Sequence, residues 1–315
     1  MLTLPLQLEL AQADTVLLAG CGGGFDVFSG LPLYFALSDA GKTVHLANLT
    51  FSNIPPDAGR RLGPEVVEVA HDANGMSSYF PEKHLAKWFH NQGREVNVWA
   101  IERYGPAAVA RAYRALADEL NPDTIVLVDG GTDSLMRGDE TGLGTPVEDI
   151  SSIAAVHALE DVERKLHVCL GFGIDQFHNV SHVDVLEAIA VLSREGGYLG
   201  AISLTRGMPE VERFIDAVRF VQERTAHHPS IVCSSIVSAI EGQFGDHHAT
   251  SRTAGSELFI NPLMAIYFGF RLDALARRIL YLDQIRDIES FFQTELAIAR
   301  FRASVPNRAM RPMPL

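Results

Sequence analysis

Cysteine is scarce. The 315 residues contain three, Cys21, Cys169 and Cys233, an odd and sparse set that cannot build a disulfide framework. Each lies in or beside an apolar run, where cysteine usually serves as a small buried hydrophobe. Positive charge is short as well. Lys and Arg number 26 against 39 Asp and Glu, leaving a net charge of −13. With no basic patch to offset it, such a chain repels phosphate backbones, which argues against nucleic acid as a partner. Long hydrophobic runs are missing too. The longest stretch, Leu258 to Phe270, is broken by Asn261 and Pro262, well short of the ~20 apolar residues that cross a bilayer. The opening MLTLPLQLELAQAD lacks the basic start of a secretory signal. The expectation is a soluble protein of a reducing cytoplasm, with no membrane partner. Apolar residues at 47% and charged residues at 21% are ordinary for a chain with a full core, and exclude disorder, collagen-like repeats and coiled coil.

What is present is a regular alternation. Thr15–Gly20, Thr43–Thr50, Val66–Asp72, Glu95–Glu102, Thr124–Gly131, Lys165–Gly173, Tyr198–Leu204 and Ser230–Gly242 are short, β-branched and almost continuously apolar. Parallel strands covered on both faces look like this. Between them, Gly105–Pro122, His182–Gly197 and Met208–Thr225 have apolar residues at helical spacing, with proline or glycine at their ends. Repeated strand–helix–strand order predicts an α/β fold, a doubly wound, mostly parallel, Rossmann-like sheet of about seven strands. The chain reads as a single domain over 1–315, with a sheet core at about 14–242, a polar loop at 243–257 and a C-terminal helical region at 258–303. The tail from Ser304 reads as frayed. The helical region carries more apolar residues, among them Leu280, Ile285, Phe292, Leu296 and Phe301, than one face of a peripheral helix needs. That predicts a homo-oligomer built partly on it, unless those residues simply cover the sheet.

In doubly wound sheets, ligands bind beyond the carboxyl ends of the strands. Those ends are rich in polar groups. The first run leads into Gly22, Gly23, Gly24 and Asp26; the second ends at Asn48. The fifth leads into Asp129, Gly130, Gly131, Thr132, Asp133 and Ser134, then Arg137, Asp139 and Glu140. The next leads into Gly173, Asp175 and His178, and the last two into Thr205 and Glu241. Turn chemistry alone does not easily explain five such ends in register. Gly22 to Gly24 would present backbone N–H groups to an anion at a helix start, although a tight turn with no ligand needs glycines equally. Neither a dinucleotide fingerprint nor a P-loop is present: Phe25 stands at the third glycine position, Asn48 replaces the acidic residue, and no GK[ST] follows.

The DGGTDS segment is the most specific feature. Asp129 and Asp133, four residues apart across two glycines, are candidate Mg²⁺ ligands or an acid/base pair. Arg137 is a candidate clamp for carboxylate or phosphate, with Asp139 beside it. The plain alternative is a solvated Asp-Gly turn. Thr145-Pro146-Val147-Glu148 reads as a capped helix start. His178 with His182, and His247 with His248, suggest a transition metal, but no HExxH or HxH signature supports them. His227 and His228 read as cations capping a helix end. Cys21, at a predicted helix start, reads as a turn residue ahead of a nucleophile.

GCGGGFDVFSGLPLY and VDGGTDSLMRGDETGLGTPVED, more than a hundred residues apart, together resemble the prokaryotic domain-of-unknown-function family 1152. Its pattern is a glycine-rich run leading to an Asp, here Gly22–Gly24 and Asp26, and a DGGTD-type segment, here Asp129 to Asp133. The resemblance brings a family and no activity, so the site must supply the function. The expectation is an enzyme, a metal-assisted hydrolase or transferase, acting on a small anionic, phosphorylated or nucleotide-like metabolite. Asp129, Asp133, Arg137 and Asp139 would do the chemistry. Two rivals stand beside it. VLLAGCGGG resembles the first motif of class I methyltransferases, with Leu18 in place of the usual acidic residue. The other is a non-catalytic metabolite sensor.

Overall fold

Strands form where the apolar runs are, and the chain's own alternation decides which face each one buries. A computed structural model describes residues 3–75 and 78–313. The strands are β1 (Thr15–Gly20), β2 (Thr43–Thr50), β3 (Val66–Val69), β4 (Val98–Glu102), β5 (Thr124–Asp129), β6 (Arg164–Cys169), β7 (Tyr198–Ser203), the two-residue β8 (Gly245–Asp246) and β9 (Phe259–Ile260), and β10 (Ile266–Arg271). β8 and β9 make a separate ribbon, and the other eight form one sheet in the order β3-β4-β2-β1-β5-β6-β10-β7. β4, β2, β1, β5 and β6 run parallel, whereas β3 and β10 run antiparallel to their neighbours.

Helices cover both faces, as a parallel sheet requires. On one face lie α1 (Pro5–Gln12), α2 (Asp26–Ser29), α3 (Leu31–Asp39), α4 (Pro81–Asn91), α8 (Pro209–Arg224) and α9 (Ile231–Ile240). On the other lie α5 (Pro106–Leu120), α6 (Pro146–His157), α7 (His182–Arg194), α10 (Leu272–Ala276), α11 (Leu282–Ile285) and α12 (Phe291–Ser304). Alternate residues of one strand serve opposite layers: Leu17 and Ala19 of β1 pack with α5 and α6, Val16 and Leu18 with α1 and α3. The α/β sheet inferred from the sequence is therefore the observed fold. Local signals also hold at several ends. Asn121 ends α5 in the left-handed region at φ 46, and Ser181 caps α7 by accepting the Val183 N–H at 3.2 Å.

Three expectations are corrected. Ser230–Gly242 is no strand but helix α9. The Ser230 side chain caps it, accepting the Cys233 N–H at 3.1 Å. The Ser234 and Ser235 hydroxyls donate to carbonyls one turn back, at 2.6 and 2.8 Å. Cys233, Ile236, Val237 and Ile240 then share a buried face, the 3.6-residue spacing overriding β-branched composition. Second, the region from Met264 is not helical throughout: Ile266–Arg271 is β10, slotted between β6 and β7. The sheet is thus completed by the end of the chain. Third, the tail is tied down. The Arg308 N–H donates to the Asp139 carbonyl at 2.7 Å. Its guanidinium meets Asp139 at 3.1 Å and Glu140 and Glu187 at 2.8 Å, while Arg311 meets Asp184 at 2.8 Å.

Candidate functional site

From β1 the chain crosses to β2 on one side, and β5 lies on the other, so the crevice beyond their carboxyl ends is the switch point at which doubly wound sheets bind ligands. A cavity of about 490 Å³ opens there, within the usual range for small-molecule sites, roughly 300–1,000 Å³. Its floor is acidic. Asp26 begins α2, Asp129 ends β5, Asp133 opens a 3-10 turn (Asp133–Leu135), Asp149 lies in the first turns of α6, and Asp175 belongs to a second 3-10 turn (Ile174–His178). All five line the cavity.

Glycines make room for these carboxylates. A Cβ on Gly22 would stand 2.5 Å from Asp149 Oδ1 and 2.9 Å from Asp26 Oδ2. A Cβ on Gly131 would stand 2.8 Å from Asp175 and 3.2 Å from Asp129. Gly144, in the left-handed region at φ +67, has Asp133 where a side chain would lie. Nearby donors then fix one edge of each acid. Gly22 N donates to Asp26 at 2.6 Å, Thr132 N to Asp175 at 2.7 Å, Thr145 N to Asp133 at 2.7 Å, and Ser134 Oγ to Asp129 at 2.5 Å. Thr145 therefore serves Asp133 with both its N–H and its hydroxyl (3.2 Å), and its side chain does not cap α6. Asp149 differs: it is 3% exposed, and its Oδ1 has no hydrogen-bond partner among the described residues.

Crowding acids in a dry crevice penalises the ionised form. Burial pushes the Asp26 carboxyl up to about 7, against the opposing pull of the Gly22, Gly130 and Gly23 N–H groups. Burial, and then the Asp133 charge, hold Asp129, Asp149 and Asp175 well above the carboxylate range. Asp133 itself is raised by burial, with the Thr145 hydrogen bonds opposing. Cys21 is fully buried, and burial with Asp149 and Asp129 pushes its thiol up, opposite to what a thiolate nucleophile needs.

Of the residues expected at the site, Gly22, Gly23, Gly24, Asp26, Asp129, Gly130, Asp133, Asp175 and His178 line one cavity. Gly131 and Thr132 sit directly behind it, against Asp175. Asn48 is buried below the glycine loop, donating to the Gly24 carbonyl at 2.9 Å and to Glu82 at 2.7 Å. Gly173 packs against the His182 ring, apart from His178's place in the cavity. Arg137, Asp139, Thr205 and Glu241, and with them His182, His247 and His248, do not line the cavity. Arg137 is held by Asp139 through bonds of 2.9 and 2.6 Å, Glu241 pairs with Arg219 at 2.5 Å, and Thr205 lies at the turn into α8, its N–H 3.4 Å from Met208 Sδ. His248 pairs with Asp246 at 3.0 Å.

Sequence reasoning missed Asp149, Phe51, Tyr79, Phe177, His228, Arg252 and Glu257, which also line the cavity. Asp149 was legible in principle, as an acidic residue one turn into a helix whose start faces the strand ends. The others arrive from loops or, for Phe177 and Arg252, from short 3-10 turns, and carry no spacing signal.

Oxygens of Asp26, Asp129 and Asp149 lie within 4.8 Å of one another, a set suited to a hard cation. Asp129, His167 and Cys169 also cluster, but the Ser134 hydroxyl stands among them, 2.5, 2.8 and 3.6 Å from each in turn. A third group, His71, His90 and Glu95, lies elsewhere and nearer the surface.

The family described as Protein of unknown function (DUF1152) matches residues 17–303. The chain belongs to this family. In this DUF1152 member the match spans the sheet, the acidic floor and most of α12. No curated protein and no solved structure matches the chain.

Proposed function

We propose that this DUF1152 protein is a divalent-cation-dependent hydrolase or transferase acting on a small anionic metabolite, with Mg²⁺ the expected ion. Two observations on one residue carry the reading: Asp149 Oδ1 is buried and unpartnered among the described residues, and Asp149 offers an oxygen within 4.8 Å of oxygens of Asp26 and Asp129. A buried charge is costly unless a counter-charge meets it, and the near acids offer none. A cation held by Asp26, Asp129 and Asp149 would supply that charge and would polarise a phosphoryl or carboxyl oxygen of the substrate. It would also reverse the field of the crevice, without which an anion is repelled. Asp133 and Asp175 are then left to orient the substrate or carry a proton. The Gly22 N–H serves Asp26 and Arg137 serves Asp139, so Arg252, which lines the cavity, takes over the balancing of substrate charge.

Calorimetry with Mg²⁺ and Mn²⁺ tests this. Saturable binding, lost in Asp129→Asn, is expected, together with Mg²⁺-dependent consumption of some component of a metabolite extract. Absence of saturable binding refutes it. An acidic floor also suits the sulfonium of S-adenosylmethionine, which favours the methyltransferase reading second. Titration with that compound in chelator decides between the two, since only the sulfonium ligand would bind without a divalent ion.

A further inference from the structure

We infer that the ligand of this site is a nucleotide whose base stacks at the cavity mouth on Phe177 and Phe51. This rests on the cation reading above and names the substrate class. Phe177 is 74% exposed and Phe51 44% exposed, yet both line the same cavity as the aspartates. An exposed ring is ordinary alone, but at the mouth of a polar cavity it offers a flat apolar face to whatever fills that cavity. Phe177 comes from the turn that carries Asp175, and its ring meets the His178 ring edge to face at 5.6 Å. Phe51 follows β2 and packs on the glycine loop so closely that a Cβ added to Gly23 or Gly24 would stand 3.1 Å from its ring. The Arg103 guanidinium lies 5.5 Å from its ring centroid. Tyr79 and His228 meet edge to face at 5.8 Å and line the cavity too. A ligand filling this space must therefore be anionic at one end, where the cation would sit, and flat and unsaturated at the other. A nucleoside diphosphate has both ends. Aromatic faces tolerate any base, so stacking fixes the class without choosing among bases.

Calorimetry with the Mg²⁺ complexes of the four common nucleoside diphosphates and of pyrophosphate tests this. At least one nucleotide is expected to bind more tightly than pyrophosphate. Phe177→Ala, at a site too exposed to endanger folding, should weaken that nucleotide roughly 5- to 150-fold, the range for stacking on one base, and leave pyrophosphate unchanged. Phe51→Ala should act in the same direction. If pyrophosphate binds as well as every nucleotide and neither variant alters any affinity, the stacking inference is wrong while the cation reading stands. If no Mg²⁺ complex binds and Mg²⁺ alone does not either, both fall together.

Discussion

Replacing Asp149 by Asn should make the metal-free protein more stable and cation binding weaker, an opposition that few core substitutions produce. Asp149 is 3% exposed, and its Oδ1 accepts no hydrogen bond from any described residue. Burial first, then Asp133, Asp129 and Asp26, hold its carboxyl well above the ordinary range. At pH 8 the folded chain either carries that charge unpaired or holds a proton against the solution. Either way the cost falls on the folded state. Asn keeps the shape and removes the ionisable group, so the gain is that of relieving a carboxyl held above its ordinary range, on the order of 1–3 kcal/mol at about 1.4 kcal/mol per pH unit. For a chain of this length that is about 2–5 °C in melting temperature. Thermal melts at pH 8 in chelator, and again with millimolar Mg²⁺, give the assay. Wild type should rise with Mg²⁺, whereas Asp149→Asn should start higher and respond little. A variant that melts lower in chelator, or that keeps the full Mg²⁺ response, refutes the reasoning.

Burial raises the Glu82 carboxyl from 4.5 to about 7. A raised acid stabilises the fold below its unfolded value and loses that contribution as pH climbs through the folded one. Wild-type stability should therefore fall by roughly 3 kcal/mol between pH 4.5 and 7 through this group, and Glu82→Gln should flatten that part of a denaturation series. Arg308→Ala strips a cation from Glu140 and Asp184, whose side chains are 2% and 1% exposed. The guanidine midpoint should drop by the equivalent of about 2–4 kcal/mol, and an unchanged midpoint would show the tail to be ornamental. In the C-terminal region Ile285, Ile298 and Phe301 of the helices are buried, while Leu280 in the turn before α11 and Phe292 and Leu296 of α12 stay exposed. Light scattering should give a homo-oligomer that Phe292→Glu dissociates; a single-chain mass for wild type at micromolar concentration overturns this.

Strand positions were legible because burial on both faces leaves a continuous apolar signature. β1, β2 and β5 fall where the runs do. The signature has no direction, however, so nothing in Ile266–Arg271 announces an antiparallel insertion. It also cannot tell a buried helix from a buried strand, which is how α9 was misread. At the site, residues at strand ends share a cavity because the sheet's register puts them there, as with Asp26, Asp129 and Asp175. Residues from loops and short turns answer to tertiary packing alone, which no spacing encodes. Phe177 and Arg252 are of this kind, and Arg137 strays in the opposite sense because its neighbour Asp139 captures it.

The insertion of β10 orders events on the ribosome. Among the described residues β7 pairs with no strand but β10, so a nascent chain emerging from its N-terminus carries Tyr198–Ser203 unpartnered until Arg271 has been made. The β6 edge waits equally long. Exposed strand edges recruit other chains, and the interval between the synthesis of β7 and that of β10 is therefore when this protein is most prone to aggregate. A stalled or truncated product ending before residue 266 would not merely lack a terminal piece. It would leave the β6 edge and both edges of β7 open, and holdase chaperones should retain it where they release the full-length chain.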